Sequence, residues 1–218
     1  DTSLRIFNSI KHYGLNISRA ALAGGKSIAP YLEAFKTDLF LSANEEDVQE
    51  AINTGTAAGI ICNHDHLPID PEAVIDQIRI AFDGDAVIFS DEAERIYQTE
   101  GLDAFARHEE QKAQQPLPEG PFAKLLKTIS LIQKSFGEKE APIRTALVTA
   151  RCAPTHERVI RTLRAWNVRI DEAFFLGGIE KSQVLKAFDA HIFFDDQPVH
   201  AERASKLVPA ARVPWKQE

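Results

Sequence analysis

Residues 79–92 read RIAFDGDAVIFSDE, an apolar run that halts on two aspartates, Asp83 and Asp85, with a single glycine between them. Two carboxylates so spaced at the end of a buried strand can divide a phosphoryl transfer, one attacking phosphorus while its neighbour shuttles the proton. The competing reading is a solvated Asp-Gly turn. Against it, Ala86, Val87, Ile88 and Phe89 resume an apolar run at once, so the pair lies between two hydrophobic segments. Open parallel sheets bind their ligands beyond the carboxyl ends of the strands, where Asp83 would stand.

Three further segments carry chemistry-bearing residues at strand ends. A strand over Ala146–Val148 runs into Thr149, Ala150 and Arg151, with a helical stretch from Thr155 to Trp166 behind it. The Thr149 hydroxyl could donate to a phosphoryl oxygen or simply cap a helix, and Arg151 could clamp a phosphate or face solvent. A strand over Glu172–Leu176 leads into Gly177-Gly178 and then Lys181, whose ammonium would hold transferring oxygens, with Lys186 as the unremarkable alternative. The run His191–Gln197 (HIFFDDQ) ends in paired acids, Asp195 and Asp196. Four aspartates around one lysine would repel a phosphate dianion, whereas a hard cation such as Mg²⁺ reverses that balance.

DGDAV fits DxDx(T/V), the first motif of the haloacid-dehalogenase-like (HAD-like) phosphatases, and FDGDAVIFSDE is similar to the cytosolic 5'-nucleotidase type I family. The resemblance continues through PIRTALVTAR, WNVRIDEAFFLGGIEK and HIFFDDQ, four segments in order across most of residues 75–200. It implies a Rossmann-like α/β fold, a parallel sheet flanked by helices. It further implies an enzyme that hydrolyses a nucleoside 5'-monophosphate, AMP foremost, through an aspartyl-phosphate. Asp83 would be the nucleophile, Asp85 the acid and base, and Thr149 and Lys181 the ligands of the phosphoryl oxygens, beside Arg151. Mg²⁺ would be held by Asp83, the Asp85 carbonyl, and Asp195 or Asp196. Two other readings stand beside this one: a phosphatase of another small phosphomonoester, and a noncatalytic nucleotide-binding or assembly protein.

The elements that must position these residues show an internal repeat. Gly24-Gly25 falls on Gly177-Gly178 at an offset of 153 (177 − 24), and Ala34-Phe35 falls on Ala187-Phe188 at the same offset. Tyr13 then meets Trp166, Phe40 meets Phe193, and Ala57-Ala58 meet Ala210-Ala211. Each copy reads as helix, short strand, Gly-Gly turn, helix, strand, helix. The first copy lacks the chemistry, with Ser42-Ala43 in place of Asp195-Asp196 and Ile28 in place of Lys181. Residues 1–62 are therefore expected to form a degenerate HAD-like half-domain repeating 154–215. Residues 63–77 should be a linker and 78–218 the catalytic domain, with a helical cap at about 91–136. Within that insertion Gln114–Pro121 separates two helical parts, and Leu125, Leu126, Ile129 and Ile132 recur at helical spacing as a core-facing stripe. Phe105, His108 and the helix around Lys124 are candidate cap elements over a base or ribose.

Gly24-Gly25-Lys26-Ser27 invites a phosphate-loop reading, but GxxxxGK(S/T) fails because Ala20 stands where its first glycine belongs. His64 and His66 could ligate a metal, although loop histidines facing solvent are the simpler reading. A net charge of −7 argues against a nucleic-acid polymer as partner but not against a mononucleotide. Cys62 and Cys152 are too few for a disulfide framework. The chain holds no apolar run of membrane-spanning length and no signal pattern, which predicts a cytoplasmic protein without a membrane partner. It begins at Asp1 and contains no methionine, as a processed or truncated chain would. Family members carry a segment ahead of the first copy, and its absence would leave a sheet edge open and favour a homo-oligomer.

Overall fold

The computed structural model describes residues 2–62, 74–137 and 140–217. In chain order these form α1 (Thr2–His12), β1 (Leu39–Ser42), α2 (Glu45–Asn53), β2 (Ala57–Ile61), β3 (Ile78–Phe82), α3 (Glu92–Glu100), α4 (Leu102–Gln111) and α5 (Ala123–Lys134). They continue with β4 (Ile143–Thr149), α6 (His156–Ala165), β5 (Glu172–Phe175), α7 (Ser182–Phe188), β6 (Ile192–Asp195), α8 (Pro198–Ala204) and β7 (Ala210–Arg212). The strands make one seven-stranded sheet in the order β1-β2-β7-β6-β3-β4-β5.

The central strands are almost wholly apolar because helices cover both their faces. Neighbouring residues on them alternate between two cores. Phe82, Leu147 and Phe194 join the cluster that holds Val159 and Leu163 of α6 and Leu125, Leu126 and Ile129 of α5. Ala81, Val148 and Phe193 join the opposite cluster with Leu185 and Phe188 of α7 and Ala204 of α8. This alternation is the period of two that a pleated strand imposes on its side chains. Leu125, Leu126 and Ile129 of the expected stripe pack on the core while Ile132 is exposed, and α5 belongs to the helical layer of the sheet rather than lying over the site. Of the segment 91–136, α3 and α4 add no residue to that apolar cluster and pack on each other, with Tyr97 and Phe105 edge to face at 6.3 Å.

The sheet departs from the expected parallel arrangement at one junction. β7 runs parallel to β6 but antiparallel to β2, with Ile60 opposite Arg212 and Ile61 opposite Ala211. β1 and β2 therefore share one sheet with the strands of the later segments. β1, α2 and β2 begin 153 residues before β6, α8 and β7 (192 − 39, 198 − 45 and 210 − 57). Asn44 caps α2, its Oδ1 accepting from the Glu46 and Asp47 N–H groups at 2.9 and 3.2 Å.

The earlier half of the first copy does not match its counterpart. Residues 15–23, read as holding a short strand, form none, and the helix expected after Gly24-Gly25 is a single turn at Ala29–Tyr31. Strand conformation needs a partner. Residues 172–175 pair with β4, whereas 19–22 pair with no strand among the described residues. The Gly24–Ser27 segment is likewise no phosphate loop, since Ser27 Oγ accepts the Ala29 N–H at 3.2 Å and Lys26 is exposed. His64, His66 and most of the expected linker lie outside the described residues.

Candidate active site

Each acid expected from the sequence stands where a parallel strand ends. β3 lies between β6 and β4, with Phe82 level with both Phe194 and Leu147. Asp83 N–H donates to the Phe194 carbonyl at 2.8 Å, which fixes the residue just beyond the last rung beside Asp195. Beneath them Phe82 and Phe194 stack at 5.7 Å, and Phe122 lies 4.7 Å from Phe194. This dry aromatic floor holds the carboxylates and keeps water from relaxing beneath them.

Past Asp83 the chain makes one wide turn, closed by Phe89 N–H to the Gly84 carbonyl at 2.9 Å. Ala86 takes the left-handed conformation at φ 60°, a position that usually selects glycine. A Cβ on Gly84 would stand 3.4 Å from Thr149 Oγ1, an ordinary contact distance. The apolar run after Asp85 is a turn packed into the core.

Lys181, at the start of α7, is the hub of the cluster. Its Nζ lies 2.9 Å from Asp83 Oδ1 and 2.6 Å from Asp195 Oδ2, all three residues being buried. Lys186 is exposed and plays no such part. Asp195 Oδ1 accepts the Gln197 N–H at 2.9 Å, and Asp196 Oδ2 accepts the Trp215 indole N–H at 2.8 Å. Asp83 Oδ1 has the ammonium close by but no aligned hydrogen bond. Thr149, buried at the end of β4, accepts the Arg151 N–H at 3.3 Å and keeps its own proton to donate.

One oxygen each from Asp83, Asp195 and Asp196 lie within 4.8 Å of one another. With all three ionised, each pair at such separations would repel by about 4 kcal/mol at an effective dielectric near 20. Three such pairs face one ammonium. Burial pushes the Asp83 carboxyl up to about 7 despite Lys181, and pushes Asp196 up to about 8, with Asp83 and Asp195 adding to the effect. Asp195 moves the other way: burial would raise it, but Lys181 holds it below the ordinary range. Burial would lower Lys181, and Asp83 and Asp195 outweigh it to hold the ammonium above its ordinary value. Buried, oxygen-only, mutually repelling and with one oxygen short of a hydrogen bond, this donor set fits a hard divalent cation.

Arg151 differs from both expectations for it, since it neither faces solvent nor presents a free fork for phosphate. It is 4% exposed, and its Nε and Nη2 reach Asp85 Oδ2 and Oδ1 at 2.7 and 2.6 Å. Its Nη1 pairs with Glu109 and reaches the Thr155 carbonyl at 3.2 Å. Asp85 is therefore turned to a guanidinium, and its carboxylate is not one of the clustered three.

Three partners escaped the sequence reading. Glu109 and Arg158 are buried and paired at 2.7 Å. Glu109 follows the buried Phe105 at helical spacing, and a carboxylate on an apolar stripe signals a buried cation. Trp215 reaches Asp196 from the end of the chain with no local signal at all.

A human relative, cytosolic 5'-nucleotidase 1B, is 44% identical over 209 residues, which are 94% of this chain and 34% of that protein, so the chain spans about a third of the relative's length. A family model described as 5'-nucleotidase matches residues 1–218. A chain matched by that model from end to end belongs to the 5'-nucleotidase family.

Proposed function

We propose that the chain carries the phosphoryl-transfer site of a 5'-nucleotidase that hydrolyses nucleoside 5'-monophosphates, AMP first among them. The observation that carries this reading is Lys181 seated between Asp83 and Asp195 at the ends of two adjacent parallel strands.

The reaction runs in two displacements. An Asp83 carboxylate oxygen attacks phosphorus while the bond from phosphorus to O5' breaks, and Asp85, protonated on an oxygen released from the Arg151 fork, gives that proton to O5'. Nucleoside leaves and an aspartyl-phosphate remains. Water then attacks phosphorus, Asp85 takes its proton, and the bond to Asp83 breaks to release phosphate. Lys181 and Thr149 hold the phosphoryl oxygens as charge builds on them. Asp83, the Asp85 carbonyl, and Asp195 or Asp196 would hold Mg²⁺, which when bound supplies positive charge against the carboxylates and the transferring group. The α3–α4 pair is our candidate cap, since a closed cap excludes water while phosphorus is attacked.

No helix among the described residues is long and apolar enough to cross a membrane, and the human relative is named cytosolic, which supports a cytoplasmic setting. A net charge of −7 supports a small-molecule substrate over a nucleic-acid polymer.

Phosphate release from AMP, with and without Mg²⁺, for the wild type beside Asp83→Asn tests the proposal. Metal-dependent release that vanishes in the variant is expected. Wild-type turnover retained by Asp83→Asn would overturn the role of Asp83, and no release by folded wild type would overturn the activity.

A further inference from the structure

We propose that Glu109 is a positioning residue for the acid and base Asp85, acting through Arg151, so that the orientation of the proton donor is set by α4 of the insertion. The inference rests on the role given to Asp85 above.

The contacts form an alternating chain of charge. Both oxygens of Asp85 are gripped by the Arg151 fork, at 2.7 and 2.6 Å. Arg151 is gripped in turn by Glu109, which is 1% exposed. The other oxygen of Glu109 takes Arg158 Nη1 at 2.7 Å and lies 3.0 Å from His108 Nδ1. Phe105, one turn before Glu109 on α4, lies under the guanidinium at 5.1 Å.

A planar guanidinium held on two edges and one face has a single orientation, and it passes that orientation to Asp85. Deleting the charge of Glu109 leaves Arg151 and Arg158 sharing a buried site with one carboxylate fewer. Arg151 is then free to tilt, and Asp85 moves with it. Proton delivery to O5' by the Asp85 oxygen that leaves the fork, while the other stays on Arg151, depends on that placement, and a displacement near 1 Å can cost about 100-fold in rate.

The test compares Glu109→Gln and Arg151→Lys with wild type on AMP and on p-nitrophenyl phosphate. The nitrophenolate departs without a proton, so the first displacement no longer needs Asp85, while hydrolysis of the aspartyl-phosphate still does. Expected are a loss of about 10- to 100-fold in kcat on AMP with little change in KM, and a rapid burst of nitrophenolate before a slow steady state. In the Asp85→Asn background, Glu109→Gln should lower AMP turnover no further. Arg151→Lys keeps the buried positive charge and tests the same link if Glu109→Gln melts early.

Equal slowing of the first displacement on both substrates, wild-type turnover in both variants, or full additivity with Asp85→Asn would overturn the inference. Absence of phosphate release by the wild type would instead overturn the nucleotidase reading beneath it.

Discussion

Trp215 donates its indole N–H to Oδ2 of Asp196 at 2.8 Å, across 19 residues of chain. The segment that carries it leaves β7 with Val213 N–H on the Asp195 carbonyl at 2.9 Å. It is then tied to α2, where Gln49 Nε2 donates to the Trp215 carbonyl at 2.9 Å and Gln217 N–H donates to Asn53 Oδ1 at 3.0 Å. One acid of the cluster is thereby tied, through Trp215, to α2 near the start of the chain.

Trp215→Phe keeps the ring and deletes the donor. Partners of this kind around a metal site are worth about 10- to 100-fold in affinity. The Mg²⁺ concentration for half-maximal phosphate release should rise by about tenfold or more, while the saturated rate changes little. An unchanged metal requirement would show that the indole does not orient a ligand.

Metal-free protein should lose stability as pH rises. Asp83 at about 7 and Asp196 at about 8 both sit above the ordinary value of 3.8, so the native state keeps protons that the unfolded chain releases from about pH 4 upward. Where the native state binds more protons, stability is greatest below the unfolded pKa and falls as pH climbs through the folded one. Thermal unfolding in EDTA should give a falling Tm from pH 5 to pH 8. Mg²⁺ should restore it at pH 8, and Asp196→Asn should flatten the slope. A flat profile for the wild type would count against the buried, mutually repelling acids.

Lys181→Met removes the ammonium that both Asp83 and Asp195 share. Leaving buried charges without their partner costs about 3–5 kcal/mol, so metal-free protein should melt well below wild type. Phosphate release should fall by at least about 100-fold even at saturating Mg²⁺, as expected for loss of a preorganised charge at the transition state. Retention of turnover would assign the transferring oxygens to another group.

Gly120 carries no side chain for a steric reason. A Cβ there would fall 2.1 Å from the Phe89 carbonyl oxygen and 2.6 Å from that of Val87. The strip at 118–122 hydrogen-bonds the turn after Asp85, through Ser90 N–H to Pro118 and Phe122 N–H to Val87. Gly120→Ala should destabilise by about 3 kcal/mol, the upper end of overpacking costs. It should also slow turnover, because the displaced turn carries Asp85. Chemical denaturation beside steady-state kinetics measures both.

Local pattern determined much of this protein. Each strand that bears a catalytic candidate is a short apolar run closed by a polar residue, so Asp83, Thr149 and Asp195 could be placed at strand ends from sequence, and Lys181 just before a helix. The 153-residue offset was equally legible, because β1, α2 and β2 keep the apolar spacing of β6, α8 and β7. Three features depended on tertiary structure. The antiparallel contact of β2 with β7 is a pairing between distant segments, and no local signal specifies it. The strand expected before Gly24 is missing because a strand exists only against a neighbour. Arg151 illustrates the same limit for the site: its position beside Thr149 was readable, but its partner was not. A guanidinium takes whichever anion the fold brings to it, and here α4 brings Glu109 from 42 residues away, so that Arg151 is paired with both Asp85 and Glu109.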